Sequence, residues 1–158
     1  MATFNTAQYA LQSETRANPG RLAPKNVASG DVEFAVIPYT LLGTEAAADV
    51  LNLCLLPNDC IPMPMLSKVV CSGDTGSALT VDVGTAADLD GFADGLVLEN
   101  GGQVEFGTSN PMPAWMAQTP IVPDTGSGNA VLKATLVTAT GLTAGVILRF
   151  VIAWKRGR

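Results

Sequence analysis

The stretch from Asp49 to Asp90 constrains the fold of this chain most strongly, because turn residues divide it into three short apolar runs. The runs Val50–Leu56, Met65–Ser72 and Ala78–Val83 are separated by segments rich in proline, asparagine and glycine, which interrupt strands. Apolar runs of this length, bounded in this way, are typical of β-strands. The stretch therefore predicts three consecutive strands, and it contains no recognisable catalytic motif.

The same pattern of apolar runs and turn residues continues on both sides of this stretch. Pro38 lies within one run and places that strand at a sheet edge or a bulge, since proline cannot donate a ladder hydrogen bond. Asn100 and Gly101 are a strong turn signal, so the runs on either side of them are predicted to form a hairpin. Residues 86–95 are predicted to form a polar loop or a helical turn. The further predicted strands are Glu33–Leu42, Leu96–Leu98, Gln103–Phe106, Trp115–Val122, Ala130–Ala139 and Gly145–Lys155.

The final run shows the clearest alternation of side chains. Its even-numbered residues from Val146 to Trp154 are all apolar and share one face, which is predicted to lie in the core. About eight short strands without a long helix are typical of a β-sandwich, a jelly roll or a barrel. A chain of 158 residues fits one such domain, preceded by residues 1–32, which lack both the helical and the strand periodicity.

The residue types that carry most acid–base and nucleophilic catalysis are scarce. The chain has no histidine, which excludes Ser-His-Asp and Cys-His catalysis and removes the commonest zinc ligand. Cys54, Cys60 and Cys71 lie in or beside apolar runs without metal-ligand spacing, so we interpret them as buried thiols of a protein made in a reducing cytoplasm. We therefore expect no catalytic residue, no metal and no cofactor. No signal peptide and no membrane-spanning segment are predicted.

Asp82, Asp88, Asp90 and Asp94 form the one group of closely spaced carboxylates in the sequence. Calcium ions bind several carboxylate and carbonyl oxygens, and the segment that starts at Asp88 begins like a calcium loop. Its sixth position is Ala93 rather than glycine, so the calcium-loop pattern is not completed. We interpret the group as a solvated acidic loop, with a Ca²⁺ site or a pair of hydrolytic carboxylates as alternatives.

Charge is segregated along the chain, although the net charge is only −5. Residues 31–124 hold thirteen acidic residues and one basic residue, Lys68, whereas residues 125–158 hold five basic residues and no acidic one. Only 15% of the residues are charged and 47% are hydrophobic, which indicates either apolar surface covered by a partner or a composition rich in small residues. The basic ends are expected to dock on an acidic surface, for which a neighbouring copy of the chain is one candidate. The tail is too short to predict strong nucleic-acid binding.

Interface positions are predicted in three places. Residues 1–32, read as an extended arm, offer aromatic, aliphatic and basic anchors for a neighbouring protein. Trp115 lies in an irregular apolar segment, which favours a protein–protein contact over the alternative of a loop that covers the core. The C-terminal tail adds basic residues. The predicted interface residues are Phe4, Tyr9, Arg16, Arg21, Leu22, Lys25, Trp115, Met116, Lys155 and Arg156.

Three segments of the chain resemble small structural proteins of tailed bacteriophages. They read GTEAAADVLNLCLLPNDCIPMPMLSKVV, LTVDVGTAADLDGFADGL and LTAGVILRFVIAWK, within residues 34–155. The pattern is similar to that of capsid decoration proteins, also called cement proteins. This resemblance implies a β-sandwich. Together with the strand pattern it predicts an all-β fold with a jelly-roll-like antiparallel β-sandwich at residues 33–158, whereas the extended N-terminal arm at residues 1–32 lies outside the resemblance.

The resemblance also implies a function and partners. The chain would be a bacteriophage structural protein without enzymatic activity, made in the host cytoplasm and located on the exterior of the capsid in the virion. Its partners would be the major capsid protein and further copies of itself in a homotrimer, without direct contact to nucleic acid or membrane. Two alternatives stay open: a head-fibre or tail component that binds a host-surface receptor or glycan, and a hydrolase that uses Asp88 or Asp90.

Overall fold

The computed structural model describes residues 2–5, 32–57, 60–98, 101–108 and 129–156. These residues form ten strands and two one-turn 3₁₀ segments, Pro64–Leu66 and Phe106–Thr108. None of the helical segments described is long and apolar enough to cross a membrane. The strands are β1 Thr3–Asn5, β2 Val32–Thr40, β3 Val50–Leu56, β4 Cys60–Pro62, β5 Lys68–Cys71, β6 Gly76–Gly84, β7 Ala93–Val97, β8 Gly102–Glu105, β9 Ala130–Leu142 and β10 Ile147–Arg156.

The strands form two sheets that enclose one core. Sheet A has the order β1-β3-β9-β6-β7, and sheet B has the order β2-β10-β5-β8, with β4 also paired to β10. Neighbouring strands are antiparallel, except that β1 runs parallel to β3. The prediction of an all-β, jelly-roll-like antiparallel sandwich is therefore confirmed. The strand predicted around Pro38 is β2, and within the described residues it lies at the edge of sheet B, as expected.

Side-chain alternation fills the core from both sheets. Along β10 the predicted inward face is confirmed, since Phe150 and Ile152 are fully buried and Trp154 is 8% exposed. Sheet A contributes a row of buried leucines and valines from β3, β6 and β9. The three cysteines lie among the described residues and are buried, as predicted, without a disulfide bond between them, and burial raises the pKa of the Cys54 thiol to about 12. These thiols therefore pack as small apolar side chains.

The predicted hairpin between Leu96–Leu98 and Gln103–Phe106 is wrong. β7 pairs with β6 in sheet A, whereas β8 pairs with β5 in sheet B, so the chain crosses between the sheets at this point. Leu98 stays with sheet A, because its N–H donates to the Leu79 carbonyl at 2.9 Å and its own carbonyl accepts from Thr75 Oγ1 at 2.5 Å. The turn signal thus lies between strands of two different sheets rather than between the strands of one hairpin.

Three boundaries also differ from the prediction. The strand predicted at Met65–Ser72 begins only at Lys68, because Pro64–Leu66 forms a 3₁₀ turn in front of it. The short strand β4 precedes that turn and was not predicted. Residues 86–95, predicted as a loop or helical turn, include the first residues of β7, which tolerates polar residues because it is an edge strand with one solvated face. The strand predicted at Trp115–Val122 lies outside the described residues.

Candidate interaction surfaces

The outer face of sheet B carries an apolar stripe along its edge strand. In β2 the even-numbered side chains point outwards, and Phe34 and Val36 are 57% and 60% exposed. Strand β10 continues the stripe with Val151, which is partly exposed and lies opposite Val36, whereas Ala153, opposite Phe34, is fully buried. Directly opposed residues in an antiparallel pair share one face of the sheet. Contiguous apolar side chains on the solvent side of a sheet indicate a surface that another molecule covers.

Basic side chains border this stripe. Arg149 is exposed on β10, Lys155 follows on the same face of the same strand, and Lys68 on β5 lies opposite Val151. The ammonium group of Lys68 donates a hydrogen bond to Gln103 Oε1 at 2.8 Å. Glu105, opposite Lys68 on β8, is an acidic side chain at the far edge of the same face. We define the basic–apolar face by the residues Phe34, Val36, Lys68, Arg149, Val151 and Lys155.

The backbone edge of β2 is less suited to binding than its face. Leu41 donates to the Val146 carbonyl at 2.8 Å and accepts from Gly145 at 2.8 Å, so odd-numbered residues of this strand turn their backbone groups towards β10. Even-numbered residues therefore turn theirs outwards, by the alternation of an antiparallel ladder. Pro38 interrupts this outward row because it has no N–H, which is a common protection against pairing with another strand.

Carboxylates and apolar side chains gather at the β7 edge of sheet A. Asp82 on β6 accepts a hydrogen bond from the Gly95 N–H at 2.8 Å. Burial raises the pKa of Asp82, the bond from Gly95 lowers it, and the charges of Asp94 and Asp90 raise it further, so the pKa lies above its ordinary value. Leu89 and Val97 are both 53% exposed in the same chain segment. We define the acidic edge by the residues Asp82, Leu89, Asp90, Asp94 and Val97.

The turn in front of this edge is closed by its own backbone. The Thr85 N–H donates to the Asp88 carbonyl at 2.7 Å, and the Asp88 N–H donates back to the Thr85 carbonyl at 3.3 Å. Across the described ranges, no group of three or more Asp, Glu, Cys or His side chains is placed to hold a metal ion. The interpretation of this segment as a solvated acidic loop stays a prediction.

A third surface, which we call the N-terminal clasp, consists of residues 2–5 and their contacts. The Ala2 N–H donates to Asp49 Oδ1 at 2.8 Å, in front of β3. Phe4 is half-buried and packs against Tyr39 of β2, with ring centroids 6.4 Å apart. Because β3 belongs to sheet A and β2 to sheet B, β1 holds the two sheets together at this end of the sandwich.

Two carboxylates beneath the clasp serve the fold. The Tyr39 hydroxyl and the Leu42 N–H each donate to Glu45 Oε1 at 2.7 Å. Burial alone raises the pKa of Glu45, but hydrogen bonds from Leu42 and Tyr39 outweigh it and set the pKa below its usual value. Hydrogen bonds from the backbone of Ala2 and of the preceding turn lower the pKa of Asp49. Both carboxylates are 6% exposed and hold backbone groups, which is a structural role.

The predicted interface residues are only partly described. Phe4 lies in the N-terminal clasp and Lys155 on the basic–apolar face, at opposite ends of β2, so these two do not form one site. Arg156 is the last residue of β10 and pairs with Cys60. Their role as interface residues stays a prediction. Outside the described residues lie Tyr9, Arg16, Arg21, Leu22, Lys25, Trp115 and Met116.

The sequence contained a signal for the basic–apolar face that the prediction did not use. The run Glu33–Leu42 is apolar at nearly every position, while Pro38 places it at an edge. An edge strand that is apolar on both faces buries its inner face in the core, and its outer face is a candidate for contact with another molecule. Phe34 and Val36 could therefore have been proposed as contact residues from the sequence.

The fold is similar to that of chains in two solved phage structures. A chain in the structure titled "Capsid of Ralstonia phage GP4" superposes with a TM-score of 0.69 at 17% identity, covering 99% of each chain. A chain of the "Cyanophage Pam1 capsid asymmetric unit" superposes with a TM-score of 0.55 at 16% identity, covering 85% of this chain and 91% of that one. The chain has the fold of these capsid chains. Its sequence matches no protein-family model and no curated protein.

Proposed function

We propose that this chain is a structural protein of a tailed bacteriophage that decorates the outer surface of the assembled head. The observation that carries the proposal is the fold, which matches a chain of a phage capsid over 99% of both lengths. The decorating role, as opposed to a role in building the shell itself, is supported by the three sequence segments that resemble cement proteins. No enzymatic activity is part of the proposal, since the buried carboxylates Glu45 and Asp49 are occupied in holding backbone N–H groups.

The charge of the N-terminal arm fits a protein that binds a preformed lattice. Its basic residues Arg16, Arg21 and Lys25 suit an acidic site on the major capsid protein. A protein that binds the assembled head and not its dissociated subunits stabilises the head by its own binding free energy. We propose that it does so as a homotrimer on the capsid exterior.

The decisive experiment uses heads of the source phage that lack this protein. Purified chain is added, and binding is measured by cosedimentation, shell stability by the temperature at which DNA is released, and position by immunogold labelling. We expect saturable binding, a higher release temperature and label spread regularly over the head. Failure of the deletion phage to form any head would instead make the chain a shell component. Label confined to the tail would indicate receptor binding.

Removal of the N-terminal arm tests how the protein attaches. Deletion of residues 1–30 is expected to abolish head binding, but it also removes β1 from the sandwich. The variant Asp49→Asn serves as the control, because it weakens the hydrogen bond from Ala2 in the clasp and leaves every residue of the arm in place. Binding by Asp49→Asn but not by the truncated chain would support the arm as the anchor. Unchanged affinity of the truncated chain would refute it.

A further inference from the structure

We propose that the basic–apolar face of one copy binds the acidic edge of a second copy, so that copies of this chain associate head to tail. The inference rests on the proposed function and deepens it, since it names the surfaces through which copies on the head would bind each other. The occupant of the basic–apolar face is thus another molecule of the same chain.

Exposed apolar side chains on both surfaces provide the first argument. Phe34 and Val36 are more than half exposed on the basic–apolar face, and Leu89 and Val97 are more than half exposed at the acidic edge. Each pair lies beside charged residues of one sign. An apolar centre with a charged rim is the usual construction of a protein–protein contact.

Charge complementarity provides the second argument and selects the partner. The basic–apolar face carries Arg149, Lys68 and Lys155, while the acidic edge carries Asp82, Asp90 and Asp94. Pairing the basic–apolar face with itself would bring like charges together, which costs free energy. Pairing it with the acidic edge brings opposite charges together and relieves the mutual repulsion of the three aspartates.

The positions of the two surfaces allow every copy to use both at once. β1 and β2 lie at one lateral end of the sandwich, where Phe4 packs against Tyr39. β7 and β8 mark the other end, where Phe92 meets Phe106 edge to face at 6.0 Å. The basic–apolar face lies on the outer side of sheet B from β2 to β5, and the acidic edge lies at β6 and β7 of sheet A, so a contact between them in successive copies is heterologous and generates a ring when the rotation closes.

Sedimentation velocity of the full chain over a range of concentrations tests the inference. Arg149→Glu and Asp94→Arg are each expected to weaken self-association at least tenfold, and the double variant with both changes is expected to restore most of it. Asp74→Lys is the matched control, because Asp74 is an exposed carboxylate between β5 and β6 that belongs to neither surface. It should associate like the wild type. Thermal unfolding of each variant checks that the fold is kept. Val36→Lys places a charge in the apolar part of the basic–apolar face and should weaken self-association independently of Arg149→Glu.

A mixture of the two single variants tests whether the two surfaces bind each other. In the mixture the intact Arg149 of one variant meets the intact Asp94 of the other, and the two substituted positions carry opposite charges, so the mixture should regain the association that each variant alone lacks. A mixture that stays monomeric, an Asp94→Arg variant that associates normally, or a wild-type chain that stays monomeric would each overturn the inference. Head binding is measured separately, so a monomer that still binds heads would refute this inference while leaving the proposed function intact.

Discussion

Two aspartates of this sandwich are held in opposite electrostatic environments. Asp49 accepts hydrogen bonds from Ala2 and Ala46 at 2.8 and 3.0 Å, and these lower its pKa below the ordinary value of 3.8. Its contribution to the free energy of unfolding is therefore present above pH 3.8 and is lost as the pH falls through the lower, folded-state pKa. Burial, together with Asp94 and Asp90, raises the pKa of Asp82. Ionised Asp82 therefore opposes folding at neutral pH, and protonation on acidification relieves that cost.

We accordingly expect Asp49→Asn and Asp82→Asn to change stability in opposite directions. At neutral pH Asp49→Asn should lower the free energy of unfolding, whereas Asp82→Asn should leave it equal or raise it, because an amide oxygen can still accept the bond from Gly95. Urea denaturation at several pH values between neutral and about pH 3 measures both effects. In Asp49→Asn the free energy of unfolding should also fall less steeply as the pH is lowered. Equal losses in the two variants at neutral pH would contradict this assignment.

At the scale of elements, alternation along β10 makes a sharp prediction for two neighbouring residues. Leu148 is 1% exposed and packs in the core, whereas Ile147 next to it lies half-exposed on the outer face. Leu148→Ala should lower the free energy of unfolding by about 2–5 kcal/mol, since it leaves a cavity. Ile147→Ala removes a side chain of the same size and should cost less than about 1 kcal/mol. Chemical denaturation of both variants checks the contrast, which a register shift of one residue would reverse.

The elements also show what local sequence patterns determine and what they do not. The inward face of β10 was predictable, because strict alternation has only one solution when one face must be buried. The position of Leu96–Leu98 was not, because the turn signal at Asn100 and Gly101 specifies a chain reversal and not the sheet that the next strand joins. That choice depends on long-range bonds, such as the one from Thr75 to the Leu98 carbonyl, which no local pattern encodes.

The candidate surfaces were predictable to a similar degree. Lys155 was expected at an interface from the charge of the tail, and it lies on the basic–apolar face. Phe34 and Arg149 were not expected at an interface, because their placement on one face follows from the pairing of β2 with β10, which are far apart in sequence. The group of aspartates was visible in the sequence, but its exposed apolar neighbours Leu89 and Val97 were not. Residue types thus indicated that the chain has a basic and an acidic surface, and the order of the strands decided which residues belong to each.

At the scale of the whole molecule, an aromatic contact connects the two sheets at each lateral end, and the two contacts differ in how deeply they are buried. Phe92 and Phe106 are fully buried at one end, whereas Phe4 is half-buried against Tyr39 at the other. Phe92→Ala should lower the global free energy of unfolding by about 3–5 kcal/mol. Phe4→Ala should cost less than half as much, because β1 is a three-residue strand that can detach while the rest of the sandwich stays folded.

Amide hydrogen exchange distinguishes this local opening from global unfolding. The Val50 N–H donates to the Ala2 carbonyl at 3.0 Å and reports on the clasp, while the Leu136 N–H donates to the Asp49 carbonyl at 2.9 Å within sheet A. In Phe4→Ala we expect faster exchange at Val50 with protection at Leu136 almost unchanged, because only the clasp opens. In Phe92→Ala both amides should lose protection together. Equal loss at Val50 and Leu136 in Phe4→Ala would instead make β1 part of the cooperative core.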